Sequence, residues 1–431
     1  MATALATSTV VTIVLFLLVI LAMTGRRVGK TRATAALVGF GYGLLLLVSI
    51  TGAGVDLTRA VAMVLVVAII YPMVFFTRGS ADNISRTVRG IIALILAAAL
   101  LALVAHMLSL IGWVLIPAAV IALAVGAGAM AVLGADTGTS RVARWGYWIT
   151  LVLSWLIAVA GVALSGVGEL PSSDLEVSAL PQGTYVAMAL GVLALAAVDP
   201  LLRQSVASSE SGFPVGALVM GVALTAGVIF APLLLFGGSF IVPSVPFFVS
   251  FGFMPAGAIG VALALASLAV VTLIPCYIAV AGKMLAEVVR LDGADKEDDN
   301  ETNGATPGSV IMAALVAGSL AIALSAPSVL VVVASLLAAA AGGAALSGIR
   351  PGLHVLASLL GAVVGAIPAA VTGGTEFFAW SWATAIGLVV AAVAGCVTAA
   401  VLGQAGSPKT PSETVSDVDH AEEAKAAKSD D

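Results

Sequence analysis

Runs of 18 or more apolar residues recur along the whole chain, and each is long enough to cross about 30 Å of hydrocarbon as a helix. The chain has 431 residues, 61% of them hydrophobic and 10% charged. A soluble domain of this length has too little interior to hide that much apolar surface. The runs are built from Leu, Ala, Val and Gly without the alternation of a transmembrane β-strand. The pattern predicts an all-α polytopic membrane protein. No phosphate loop, dinucleotide fingerprint or His/Glu metal motif interrupts it, so neither an enzyme nor a nucleic-acid-binding protein is expected, and no cofactor is implied. Cys276 and Cys396 both lie in apolar segments and read as packing residues.

About 13 spans are predicted, at 8–24, 35–54, 60–77, 90–108, 111–133, 146–167, 184–203, 214–236, 256–282, 309–326, 328–347, 353–371 and 377–402. The first has no Lys or Arg before it and Arg26, Arg27, Lys30 and Arg32 after it, which predicts a retained helix with its N-terminus outside. Thirteen crossings then leave the C-terminus in the cytoplasm. On this count 17 of the 18 basic residues fall inside, with Arg59 alone outside. Adding or removing a span would scramble that bias. The expected location is the cell membrane, with the lipid bilayer as surroundings.

Two polar stretches stand apart. Residues 291–307 form an acidic cytosolic linker, and 404–431 an acidic cytosolic tail too poor in apolar residues to fold alone. Either offers a surface for a protein partner. Residues 1–34 read as an extra helix with a basic loop, and 348–403 as two C-terminal helices.

Transporters often join inverted repeats in which helices are interrupted near the midplane. Two spans carry interruption signals. In the span at 35–54, Gly39, Gly41 and Gly43 surround Tyr42. The span at 184–203 has only a short apolar run before Asp199-Pro200, and proline removes a backbone donor. Five spans apart, the two would cross in opposite directions, which predicts repeats over 35–182 and 183–347. Gly39, Gly41, Tyr42, Gly43 and Asp199 are the candidate substrate-binding residues. Asp199 and Arg203, one helical turn apart, are candidate gating residues joined by a salt link. The plainer reading is close packing for the glycines, with Asp199 capping a short cytosolic helix whose first residue is Pro200. No carboxylate, Lys or Arg is expected at the centre of a span, which disfavours a carboxylate proton pump. His106 comes nearest and reads as an ordinary helix histidine. Ion coordination would therefore fall to hydroxyls, with Thr272 and Ser267 as a candidate Na⁺ site and Tyr277 beside them.

These stretches resemble the sodium/solute symporter family, within it the acetate and monocarboxylate branch. GRRVGKTRATAALVGFGYGLLLLVSITG is similar to the lead into that family's first core helix. SRTVRGIIALILAAALLALVAHMLSLIG is similar to its arginine-led helix, DPLLRQSVASSESG to its broken-helix stretch with Arg203 at the arginine, and SLAVVTLIPCYIAVAGKMLAEVVR to its sodium-site helix. The resemblance implies a LeuT-type inverted five-helix repeat and Na⁺-coupled symport of a small, monocarboxylate-like solute by alternating access. Two departures stand out: Gly39-Phe40-Gly41-Tyr42-Gly43 replaces a Ser-rich entry, and Thr272 alone stands where the family pairs Ser and Thr. They keep open the alternative of a transport-inactive relative acting as a membrane partner.

Overall fold

The computed structural model describes residues 32–49, 54–77, 84–109, 182–207, 215–235, 239–241, 273–290, 307–324, 327–349, 351–372 and 383–406, with Trp148, Val152 and Leu156. Among these residues the chain forms eleven helices and one two-stranded ladder. In chain order they are α1 (Arg32–Ser49), β1 (Gly54–Asp56), α2 (Leu57–Phe76), α3 (Arg86–Ser109), α4 (Gln182–Val198), α5 (Pro200–Ala207) and α6 (Val215–Leu235). They continue with β2 (Ser239–Ile241), α7 (Leu273–Arg290), α8 (Pro307–Leu324), α9 (Pro327–Leu346), α10 (Pro351–Thr372) and α11 (Ala383–Gly406). Ten of the predicted spans fall on these helices; those at 8–24, 111–133 and 146–167 lie outside the described residues or touch them only at isolated positions. Among the described residues four helices are long and apolar enough to cross a membrane: Thr58–Phe76, Arg86–Ala105, Val329–Leu346 and Ala385–Gln404.

Burial sorts the helices into inner and outer. The apolar window of α3 is 89% buried, against 33% for α2 and 28% for α11. On α11 the exposed residues Ile386, Val389, Val393, Val397 and Val401 recur every three or four positions, a stripe on one helical face. Such an apolar stripe would be unstable in water and belongs against lipid. The central α3 packs on α7, α8 and α9.

Between apolar helices in lipid, association rests on close backbone approach through small residues. Gly361 and Gly365 of α10 meet Ala391 and Gly395 of α11 so tightly that a Cβ on Gly365 would stand 2.4 Å from that of Ala391. The three glycines of α1 do the same work. A Cβ on Gly39 would lie 2.2 Å from Oη of Tyr71 on α2, one on Gly41 3.3 Å from Leu273 of α7, and one on Gly43 2.9 Å from Thr225 of α6. Hence α1 is continuous from Arg32 to Ser49, and the interruption expected in its span is absent there. Gly39 and Gly43 face neighbours that leave no room for a side chain, and Gly41 faces one that would have to shift by a few tenths of an ångström.

The other expected interruption is present. The span at 184–203 is divided at Asp199 into α4 and α5. Further, β1 follows α1 and β2 follows α6, and the strands pair antiparallel with Val55 opposite Phe240. Their two loops therefore share one side of the membrane, as the distribution of basic residues requires.

Tyr71 sits between two glycines, since a Cβ on Gly221 of α6 would lie 1.9 Å from its Oη. Gly39→Ala and Gly221→Ala should each destabilise by about 1–3 kcal/mol through overpacking. Adding Tyr71→Phe should recover part of that loss. Unfolding titrations in mixed micelles measure both effects, and unchanged midpoints would contradict the packing.

Candidate functional site

Asp199 is fully buried at the junction of α4 and α5. Its backbone carbonyl accepts from the Arg203 amide at 3.1 Å, the first hydrogen bond of α5. Its Oδ1 accepts from the amides of Leu201 at 2.8 Å and Leu202 at 3.0 Å. That is an N-cap with Pro200 at the first helical position, where a missing N–H costs nothing. The capping geometry read from the sequence is therefore present, but its location differs. Oδ2 accepts from the Tyr42 hydroxyl at 2.6 Å and the Tyr277 hydroxyl at 2.5 Å. Tyr42 stands at mid-length of α1, so the carboxylate lies at mid-bundle rather than at a cytosolic helix end. The expectation that no carboxylate reaches the centre is overturned. The helix break shortens α4 and carries its C-terminal residue inward.

The donor set fits an ionised carboxylate. Two oxygens offer about four lone-pair positions, and two N–H and two O–H donors fill them. The first turn of α5 adds the positive end of its dipole. Among the described residues no cation touches the carboxylate. Arg203, itself buried, turns its guanidinium elsewhere: Nη1 donates to the Ala197 carbonyl at 3.5 Å and Nη2 to the Thr77 carbonyl at 3.3 Å. The expected side-chain link between Asp199 and Arg203 is therefore replaced by two separate ties. Asp199 satisfies the start of α5 and holds α1 and α7. Arg203 satisfies the end of α4, whose last carbonyls lack helical partners, and holds the end of α2.

Beside the two tyrosines lies a cavity of about 10 Å³, lined by Gly41, Tyr42, Leu96, Leu100, Leu273 and Tyr277 among others. That is room for about one water-sized body.

The structure thus brings Tyr42, Asp199 and Tyr277 together and places Gly41 at the same cavity. Gly39 and Gly43 face α2 and α6 instead. Ser267 and Thr272 lie outside the described residues, and His106 falls within α3. The joint that sequence reasoning missed is the pairing of Tyr277 with Asp199, since residues 78 apart share no local pattern. The available signal was an unmatched buried-type hydroxyl in each of two apolar spans and one unmatched acid.

The sequence matches no protein-family profile and no curated relative. Solved structures do match. One is a Na⁺-coupled sialic acid symporter, substrate-bound and outward-open, with a TM-score of 0.57 and 13% identity over 92% of this chain and 98% of that one. Another is Mhp1, a nucleobase-cation-symport-1 family transporter closed around bromovinylhydantoin, with a TM-score of 0.53 and 14% identity over 88% of this chain and 94% of that one. The fold is the LeuT-type transporter fold. Both neighbours are membrane transporters, and the apolar helices make this chain a multi-pass membrane protein.

Removing either tyrosine hydroxyl should cost about 1 kcal/mol or more, because the bond is made to a charged group. The two hydroxyls share one oxygen, so Tyr42→Phe and Tyr277→Phe should be non-additive by about 0.5–3 kcal/mol in a double-mutant cycle. Strict additivity would show that they do not meet on one acceptor.

Proposed function

We propose that this chain is a secondary active transporter that moves a small organic solute by alternating access. What carries the reading is Asp199, a buried carboxylate at a helix break in the middle of a LeuT-type bundle, facing hydroxyls from two other helices. Intramembrane ionisable residues are costly and tend to mark ion and substrate pathways. Interrupted helices free backbone groups for the same use. The repeats would be 35–182 and 183–347, with Gly41, Tyr42 and Asp199 beside the solute. Arg203, tying α5 to the ends of α4 and α2, would serve as the inner gate.

The coupling ion in this reading is Na⁺, held near Thr272 and Ser267, and the solute is a monocarboxylate. The resemblance to sodium/solute symporters supports both, and the Na⁺ coupling of the sialic acid symporter that shares the fold supports the ion. One observation favours the alternative of a transport-inactive partner protein: α1 is uninterrupted, so only one of the two expected helix breaks is present.

Two measurements separate the readings. If Na⁺ binds the folded state, then Na⁺ at 100 times its dissociation constant should stabilise the purified protein by about 2.7 kcal/mol. In proteoliposomes, an inward Na⁺ gradient should drive uptake of a labelled short-chain carboxylate, and Asp199→Ala should abolish that uptake while still inserting into the membrane. Neither Na⁺ stabilisation nor uptake across a panel of carboxylates would leave the inactive-partner reading standing.

A further inference from the structure

We propose that Asp199 is a proton-binding site whose occupancy loosens the tie between α1, the α4–α5 break and α7, making H⁺ a second coupled cation. The inference rests on the transporter reading and adds an ion to it.

All four lone-pair positions of the carboxylate are occupied, by the Leu201 and Leu202 amides on Oδ1 and the Tyr42 and Tyr277 hydroxyls on Oδ2. A Na⁺ ion needs free oxygen lone pairs, and with these four donors in place the carboxylate has none to give. A proton needs only one. When Oδ2 takes a proton from hydronium, releasing water, the carboxylate becomes a neutral carboxyl with an O–H of its own. That O–H occupies one of the two positions where the tyrosines donate. Charge-assisted hydrogen bonds are roughly twice as strong as neutral ones, so the bond that remains is weakened as well. The amides on Oδ1 keep their acceptor, and the α5 cap persists. The proton therefore acts on the inter-helix bonds and spares the local one.

The surroundings leave Asp199 as the group that responds. Facing it are Tyr42 from α1 and Tyr277 from α7, while Arg203 on α5 is turned to the Ala197 and Thr77 carbonyls. The charges of the other packed helices stand away from this level. Arg32 opens α1, Arg59 opens α2, Arg86 and Arg89 open α3 with His106 near its far end, and Lys283, Glu287 and Arg290 lie further along α7, six or more residues beyond Tyr277. Helices α9 and α11, packed on α4, contain no charged residue.

The test uses the full chain in lipid nanodiscs, acidified stepwise from mildly alkaline to mildly acidic buffer. Infrared difference spectra report protonated carboxyl groups, and hydrogen–deuterium exchange, corrected for its intrinsic pH dependence, reports α1 and the start of α7. Wild type should gain a carboxyl band that Asp199→Asn lacks, and exchange in α1 and α7 should rise with that band. Tyr42→Phe keeps the carboxyl and removes the α1 bond, so it should keep the band while α1 exchange loses its pH dependence. This variant carries the test if Asp199→Asn fails to fold. No band attributable to Asp199, or α1 exchange in Tyr42→Phe that follows pH as in wild type, would overturn the proposal. Na⁺-driven uptake without the band would sink the proton site alone. The band without any solute uptake would sink the transporter reading and with it the coupling, and leave the proton site.

Discussion

A carboxylate buried among apolar helices must find donors for every lone pair without help from water, and the helices that supply them are fixed by that demand. Asp199 draws two amides from its own chain just ahead and two hydroxyls from α1 and α7. No single helix can meet it. The break between α4 and α5 exists because Pro200 cannot donate and Asp199 can cap. Once the break is made, the carboxylate's second oxygen projects into the bundle and draws in Tyr42 and Tyr277. Local chemistry thereby sets a tertiary joint.

The rest of the packing makes that joint reachable. Gly39 and Gly43 let α1 approach α2 and α6 closely enough to hold Tyr42 in place, and Gly41 leaves room for Leu273 just ahead of Tyr277 on α7. Tyr71 fills the space between α1 and α6, and its hydroxyl donates to the Ala35 carbonyl at 3.1 Å. Arg203 closes the neighbouring gap by satisfying the carbonyls at the ends of α4 and α2. The result is a core in which the few polar groups sit where helices end or meet, while the outer faces of α2, α10 and α11 stay apolar for lipid.

Hydropathy made the membrane class and the helices among the described residues legible, since burial in lipid is written into every apolar run. The cap at Asp199 was legible too, because Asp followed by Pro and helix-forming residues has a local meaning. Two things were not. Glycine clusters signal both interruption and close approach, and only the neighbours decide between them; in α1 the neighbours are Tyr71, Leu273 and Thr225, which makes the cluster a packing device. The depth of Asp199 was hidden for a related reason. An acid at the end of a short apolar run looks like a cytosolic helix end until α5 is seen to continue beyond it.

The central claim is that one carboxylate, at a helix break, holds α1 and α7 together in the middle of the bundle. A cryo-electron microscopy map of the wild-type chain in lipid nanodiscs, sharp enough to place tyrosine rings, measures this directly. The account predicts a helix interrupted at Asp199 with both the Tyr42 and Tyr277 hydroxyls in hydrogen-bonding contact with its carboxylate. An unbroken helix running through position 199, or an Asp199 side chain turned to the cytoplasmic surface, would contradict it.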